Sequence, residues 1–269
     1  MRSLLLFSIL LFCSSAYSQT KPVEVFTEPK TGGGGIIYAR NNEASPYSVA
    51  LELELSNMSF SEGNNAVFVI PANEQKFRIG EVTAEQGKRF KWGYKYRTTL
   101  GDVTKKHDAN YVYDLPFSKG AGFKVFQAYN GSFSHRNENA IDFTMPEGTP
   151  ILAAREGKVV RVVQNNNQGC PSEDCKQYNN VVTILHDDGS FATYAHLKYN
   201  GSFVKVGDMV KKGDKIALSG NTGYSSGPHL HFVCFQPEFG KYSTVETKFK
   251  VEGNRVANLA EGTIYNRDY

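Results

Sequence analysis

Two histidines stand two residues apart in the segment HLHFVCF, which is otherwise apolar. Side chains alternate along a β-strand, so His229 and His231 would point to one face, with Cα atoms about 6.6 Å apart. Leu230 and Phe232 would then face a core on the other side. Because a metal ion lies only about 2 Å from a ligating imidazole nitrogen, both rings could reach one metal-centred site.

Other polar residues stand in similar surroundings earlier in the chain. Asp142 lies between Ile141 and Phe143, where a carboxylate is costly unless it is paired or bound to a metal ion. His135 precedes a polar loop before Asp142, and His196 stands in the segment TYAHL. Three histidines and one aspartate in or before short strands fit a single site built on a rigid sheet.

The order of these residues resembles the lysostaphin-like zinc endopeptidases, secreted bacterial enzymes that cut peptide bonds in peptidoglycan. The resemblance covers about residues 125–236, and it rests on His135 followed by Asp142, on TYAHL, and on VKVGDMVKKGDKIALSGNTGYSSGPHLHF. It implies one zinc ion per chain, held by His135, Asp142 and His231. It also implies that His196 and His229 are catalytic, and that the partner is a peptide stem or cross-bridge of peptidoglycan.

Two positions depart from the commonest family pattern. Six residues, Arg136 to Ile141, separate the first histidine from the aspartate, a longer spacer than is usual in the family. A longer loop can still bring both side chains to one metal ion. Val233 follows HLHF where relatives often have an acidic residue, so any supporting role of that acid is missing or moved.

The implied ligand set also agrees with general zinc chemistry. Two histidines and one aspartate leave a coordination position open for water, whose pKa the metal lowers. The sequence contains no HExxH motif, so a neutral histidine is the plausible general base. We assign that role to His229 and donation to the oxyanion to His196, and the sequence leaves these two roles exchangeable.

Strands must position these residues. The segments SVALELEL, Ser48 to Leu55, and RFKWGYKY, Arg89 to Tyr96, alternate apolar and polar residues as half-buried strands do. Turn residues separate further predicted strands at 36–39, 67–70, 76–79, 111–113, 151–154, 158–163, 180–186, 191–196, 215–218 and 228–235, with a hairpin turn at 187–190. No long helical period is present, so we predict an all-β protein.

We divide the chain into four parts. Residues 1–18 have the basic start, short apolar run and small-residue end of a signal peptide, which predicts export to the periplasm or the exterior. An immunoglobulin-like β-sandwich is predicted at 19–120, and a lysostaphin-like antiparallel β-sheet peptidase domain at 121–245. Residues 246–269 form a C-terminal extension. No segment is long and apolar enough to be predicted as a membrane span.

Charge and cysteines narrow the function further. The net charge of +3 over 269 residues is too small for a nucleic-acid-binding surface. Cys170 and Cys175 are predicted to form a small disulfide, as an exported protein allows. Cys234 is predicted to be a buried thiol, and His186 an exposed histidine beside a turn.

Two alternative functions are a non-catalytic relative of the peptidases and a swinging-arm carrier domain. A non-catalytic relative that binds cell wall or activates an amidase would usually lack some of the five polar positions, and all five are present here. A swinging-arm carrier is suggested by VKVGDMVKKGDKI, which resembles lipoyl-domain hairpins. That hypothesis fails because no lysine stands in a tight turn within the carrier motif.

Overall fold

The computed structural model describes residues 21–63 and 66–269, so the predicted signal peptide lies outside the described residues. The described part is all-β, as predicted, apart from two short 3-10 helices at Glu173–Tyr178 and Glu252–Asn254. Of the helices in these ranges, none has the length and hydrophobicity that crossing a membrane would require.

The first seven strands form two antiparallel sheets. They are β1 (Val23–Pro29), β2 (Gly34–Asn41), β3 (Tyr47–Ser56), β4 (Met58–Phe60), β5 (Val67–Ile70), β6 (Phe77–Ala84) and β7 (Lys91–Leu100). One sheet has the order β1-β2-β6-β4 and the other β5-β3-β7. Their facing side chains share one hydrophobic core, in which Ile37 and Val82 come from the first sheet and Val49 and Ile70 from the second.

The remaining strands build the C-terminal half. They are β8 (Val112–Tyr113), β9 (Gly122–Gln127), β10 (Ala140–Thr144), β11 (Pro150–Leu152), β12 (Gly157–Val163), β13 (Gly169–Cys170), β14 (Val181–Leu185), β15 (Phe191–Ala195), β16 (Leu197–Ser202), β17 (Met209–Val210), β18 (Lys215–Ser219), β19 (Gly223–Tyr224), β20 (His229–Gln236), β21 (Ser243–Val245), β22 (Lys248–Val251), β23 (Arg255–Ala257) and β24 (Ile264–Asn266).

A nine-stranded antiparallel sheet dominates this half, with the order β17-β12-β14-β15-β20-β10-β9-β24 and with β21 also paired to β20. One face of its central strands carries apolar side chains into a second core, as the alternation in β20 predicts. Leu230, Phe232 and Cys234 are each at most 1% exposed in that core. The thiol of Cys234 is therefore buried, as predicted.

The second core extends past both predicted limits of the peptidase domain. Leu115 and Phe117, before residue 121, are fully buried in it, and so are Phe249 and Val251, after residue 245. Strand β24 also pairs with β9 at the edge of the large sheet. The divisions predicted at 120/121 and 245/246 therefore pass through one continuous core.

A partly buried carboxylate fixes the chain between the two halves. Asp188, in the predicted hairpin turn, accepts hydrogen bonds from Arg155 Nη1 at 2.7 Å and from the Asp108 amide at 2.9 Å. Its Oδ2 lies 3.4 Å from Nδ1 of His107, a loop histidine whose side chain is only 6% exposed. These contacts anchor the connecting segment to the C-terminal half.

The prediction that His186 is exposed is wrong. The residue is 2% exposed, and its Nδ1 lies 2.7 Å from the carbonyl oxygen of Glu156. Burial lowers the pKa of His186 to about 4, so the ring stays neutral near pH 7 and donates to that carbonyl. The side chain is a structural element, packed edge-on against Tyr113.

Because the C-terminal segment belongs to the second core, truncating its largest buried side chain should destabilise the whole half. Phe249→Ala should lower the free energy of unfolding by about 3–5 kcal/mol, since it removes a fully buried aromatic ring. Chemical denaturation of the variant and the wild type measures the loss. Tyr242→Ala, at a largely exposed ring, is the control, and equal stability of the two variants would contradict this packing.

Candidate metal centre

Three neighbouring strands bring the predicted site residues together. In the antiparallel register, Asp142 of β10 lies opposite His231 of β20, and Ala195 of β15 lies opposite His231 on the other side. His196 follows Ala195 directly, and His229 lies two residues before His231 on the same strand face. The sheet therefore gathers four of the five predicted residues, and a loop supplies His135.

The three predicted metal ligands converge. His135 Nε2 lies 3.2 Å from Asp142 Oδ2 and 3.3 Å from His231 Nδ1, and His231 Nδ1 lies 3.0 Å from Asp142 Oδ1. Ligands about 2.0–2.1 Å from a tetrahedral ion would be about 3.3 Å apart. The donor atoms therefore already have the spacing that one small divalent cation requires.

Surrounding groups orient these donors. His135 Nδ1 lies 3.1 Å from the Ala128 carbonyl oxygen, to which it can donate, and this leaves Nε2 for a metal ion. His231 offers Nδ1 instead, and its Nε2 lies 4.0 Å from a carboxylate oxygen of Glu138. Without a metal ion Nδ1 can donate to Asp142, and when a metal ion takes that position Glu138 favours a proton on Nε2, which frees Nδ1 to bind the ion. Gln127 Nε2 lies 3.3 Å from Asp142 Oδ2, to which it donates.

The ligand cluster shifts its own pKa values. Burial alone would raise the pKa of Asp142, but hydrogen bonds from His135 and His231 outweigh it and hold that pKa well below its usual range. Burial alone would lower the pKa of His135, but Asp142 outweighs it and raises that pKa. Asp142 is therefore an anion ready to bind a cation, while His135 must give up a proton that Asp142 stabilises.

The two predicted catalytic histidines lie side by side beside the ligands, with ring centroids 4.5 Å apart. His196 Nδ1 lies 2.7 Å from the Thr222 carbonyl oxygen, and His229 Nδ1 lies 2.8 Å from the Gly227 carbonyl oxygen. Both rings therefore donate from Nδ1 and, when neutral, keep Nε2 as an acceptor. In this state either ring can accept a proton at Nε2.

His196 is held in an unusual backbone conformation. Its φ of 59° lies in the left-handed region, which a residue other than glycine adopts at some cost. The side-chain oxygen of Asn179 accepts the His196 amide hydrogen at 2.9 Å and supports this conformation. Burial, with the nearby His229 and His231, lowers the pKa of His196 to about 3, so the ring is neutral over the physiological range.

A cleft opens over the histidines. It is lined by Phe133, by Pro171 and by the Ser225–Pro228 segment, together with His196, His229 and His231. Pro171 belongs to a loop closed by the predicted Cys170–Cys175 disulfide, which the structure contains. The apolar walls and the tied loop make a defined opening to the metal-binding atoms.

Sequence reasoning did not identify three supporting residues: Glu138, Asn179 and Gln127. Each acts through a contact distant in sequence, and no local pattern marks Asn179 or Gln127. A signal did exist for Glu138, because it lies in the longer spacer between His135 and Asp142. That loop provides an acid near His231, although Val233 occupies the position where relatives often have one.

Comparison with known proteins finds relatives of the C-terminal half. The family model described as "Peptidase family M23" matches residues 136–242. The chain is 37% identical over 139 residues to lysostaphin of Staphylococcus staphylolyticus, covering 51% of this chain and 25% of that protein. It is 38% identical over 138 residues to the peptidoglycan DD-endopeptidase ShyA of Vibrio cholerae, covering 51% of this chain and 29% of that protein.

Among solved structures, the catalytic domain of lysostaphin from Staphylococcus simulans is 32% identical, with 46% of this chain and 83% of that chain covered and a TM-score of 0.33. The chain thus spans between a quarter and a third of the length of the two curated relatives named above. Residues 136–242 of this chain therefore match peptidase family M23, and the C-terminal half is similar in sequence to that part of lysostaphin and of ShyA.

Proposed function

We propose that this protein is an exported zinc endopeptidase that hydrolyses peptide bonds in the cross-links of peptidoglycan. The observation that carries the proposal is the convergence of His135, Asp142 and His231 on one cation-sized position, with two further histidines beside it. Two nitrogen ligands and one oxygen ligand suit zinc and leave a fourth position open. Relatives named for peptidoglycan cleavage supply the substrate class.

Each residue of the site has a separate part in the proposed reaction. The three ligands would hold a zinc ion, which would supply a lowered water pKa and a polarised scissile carbonyl when bound. His229, with a free Nε2, removes the proton from the attacking water and later delivers it to the leaving amine. The Gly227 carbonyl keeps the Nδ1 proton in place and so fixes the tautomer that this step needs.

The proposed role of His196 requires a change in its protonation state. Its resting Nε2 accepts rather than donates, so it can stabilise an oxyanion only after it has gained a proton. Because the pKa of His196 is low, this ring would hold a proton only transiently, received from His229, which has taken it from the attacking water and whose ring centroid lies 4.5 Å away. We therefore keep His229 as the base and place His196 as the donor formed during turnover.

We also propose that the N-terminal strands form an immunoglobulin-like sandwich. Two antiparallel sheets of four and three strands, with one core between them, support this assignment. Export through the predicted signal peptide, with a periplasmic or extracellular location, belongs to the same proposal. The disulfide between Cys170 and Cys175 is consistent with such a compartment.

Removal of one ligand should abolish metal binding. The purified wild type should contain one zinc ion per chain, and Asp142→Ala should contain almost none, since only two neutral ligands remain. Elemental analysis measures both. Asp187→Ala, at an exposed aspartate, is the matched control and should keep the metal. Full zinc occupancy in Asp142→Ala would place the metal elsewhere.

Replacement of a predicted catalytic histidine should leave zinc binding intact and slow peptide-bond hydrolysis. His229→Ala should retain zinc but release peptide fragments from purified peptidoglycan more slowly by roughly 10²–10⁴-fold, the usual contribution of a general base. Fragment release is followed by chromatography and mass spectrometry. Undiminished release by a metal-loaded variant would exclude His229 from the reaction.

Acid should weaken metal binding and activity together. Because Asp142 raises the pKa of His135, this ring holds its proton to higher pH, and the metal must displace that proton. Affinity should therefore fall as pH falls, and hydrolysis should decline below about pH 6, where imidazoles become protonated. Competition with a chelator between pH 5 and 8 measures the first effect, and a pH-independent affinity would contradict it.

A further inference from the structure

A groove of about 690 Å³ lies between the N-terminal strands and the large sheet, and it reaches the ligand His231. This volume lies within the range of about 300–1,000 Å³ that is usual for ligand sites. The cleft over the catalytic histidines is separate, and the linings of the two share only His231. The groove is therefore a second space that opens from the same metal-binding residue.

The outward face of the large sheet forms the floor of the groove. Along β20, His229 and His231 line the cleft, whereas Val233 and Phe235 line the groove. With about 3.3 Å per residue, the Cα atoms of Val233 and Phe235 lie about 6.6 and 13 Å beyond that of His231. The cleft and the groove thus extend in opposite directions along one strand from the position where hydrolysis would occur.

The N-terminal half forms the facing wall. Glu43, Tyr47 and Thr99 line the groove from that side. Ala195 and Val233 on the floor are only 2% and 3% exposed, so a bound chain would contact mainly the exposed side chains of the walls.

Close packing fixes this wall in place. Gly101 has a φ of +87°, and a Cβ there would lie 2.3 Å from Pro237 and 2.7 Å from Phe191. Thr99 Oγ1 also donates a hydrogen bond of 3.2 Å to the Glu238 carbonyl oxygen. The two halves therefore meet at van der Waals distance at one end of the groove, and its width does not depend on a loose linker.

The charges of the groove indicate its occupant. Glu43 and Arg161 bring one carboxylate and one cation, and Glu238 and Lys241 bring a second pair whose charged atoms lie 3.5 Å apart. A peptide that carries both free amino and free carboxylate groups, as a cross-linked peptide stem does, can pair with both signs. A bridge made only of glycine offers no side chain to these groups.

We propose that the N-terminal domain forms one wall of the substrate-binding groove, and that the groove binds the peptide stem on one side of the scissile bond. This inference rests on the proposed peptidase function, because it uses the reaction centre at His231 as its reference point. It gives the N-terminal domain a direct part in substrate selection. The substrate would be a cross-link that bears charged peptide stems.

Kinetics on a defined cross-linked muropeptide, with the full chain and its metal, test this inference. Glu43→Lys reverses an exposed charge, and Tyr47→Ala removes an aromatic wall. Both should raise KM about fivefold or more and leave kcat within about twofold, because the lost contacts lie away from the reacting bond. Glu52→Lys, an equally exposed glutamate of the same domain outside the groove, should keep the wild-type KM.

Other outcomes distinguish the possible failures. If the wild type is active but KM is unchanged in both Glu43→Lys and Tyr47→Ala, the groove assignment is overturned and the proposed peptidase function is not. Higher activity in either variant would also overturn it, because the wall would then block substrate. If the wild type releases no fragments, the proposed function fails, and the groove is tested by calorimetric binding of the intact muropeptide to metal-loaded protein. In that binding experiment, equal affinities of the wild type and Glu43→Lys for the muropeptide would overturn the inference.

Discussion

The pairing of β10, β20 and β15 in one register is the constraint on which the site depends. Asp142 stands opposite His231 only in this alignment, and His196 follows the residue that faces His231 from the other strand. A shift of β20 by one residue would reverse every side chain of the strand. Leu230 and Phe232 would then enter the site, and both imidazoles would enter an apolar core.

The same alignment gathers groups that are individually unfavourable in a protein interior. Asp142 is 5% exposed and His135 only 1%, yet each finds its polar partners within the cluster. Their hydrogen bonds offset part of the desolvation cost, and a bound divalent cation would neutralise the charge that remains. The unusual backbone of His196 is a second local cost, which Asn179 supports. The rigid sheet beneath makes such a concentration of polar groups possible.

Local alternation was sufficient to predict the all-β class and the strands that carry the histidines. Contacts between distant parts of the chain could not be predicted. Phe249, in the segment predicted as a C-terminal extension, packs in the second core, and strand pairing over more than a hundred residues leaves no local pattern. The prediction that His186 is exposed was wrong because the turn beside it is polar, whereas the Glu156 carbonyl that accepts from its Nδ1 lies thirty residues away. The ligand roles came from resemblance, and the spacing of their donor atoms came only from the fold.

The missing side chain at Gly101 has a consequence for how such proteins can diversify. Since backbone and ring atoms meet there without room for even a methyl group, the N-terminal module is fitted to this particular peptidase rather than tethered to it. A recombination event that replaced the N-terminal half would have to recreate this close packing around Gly101. If the groove binds the substrate as proposed above, such an exchange would also alter which cross-links are accepted.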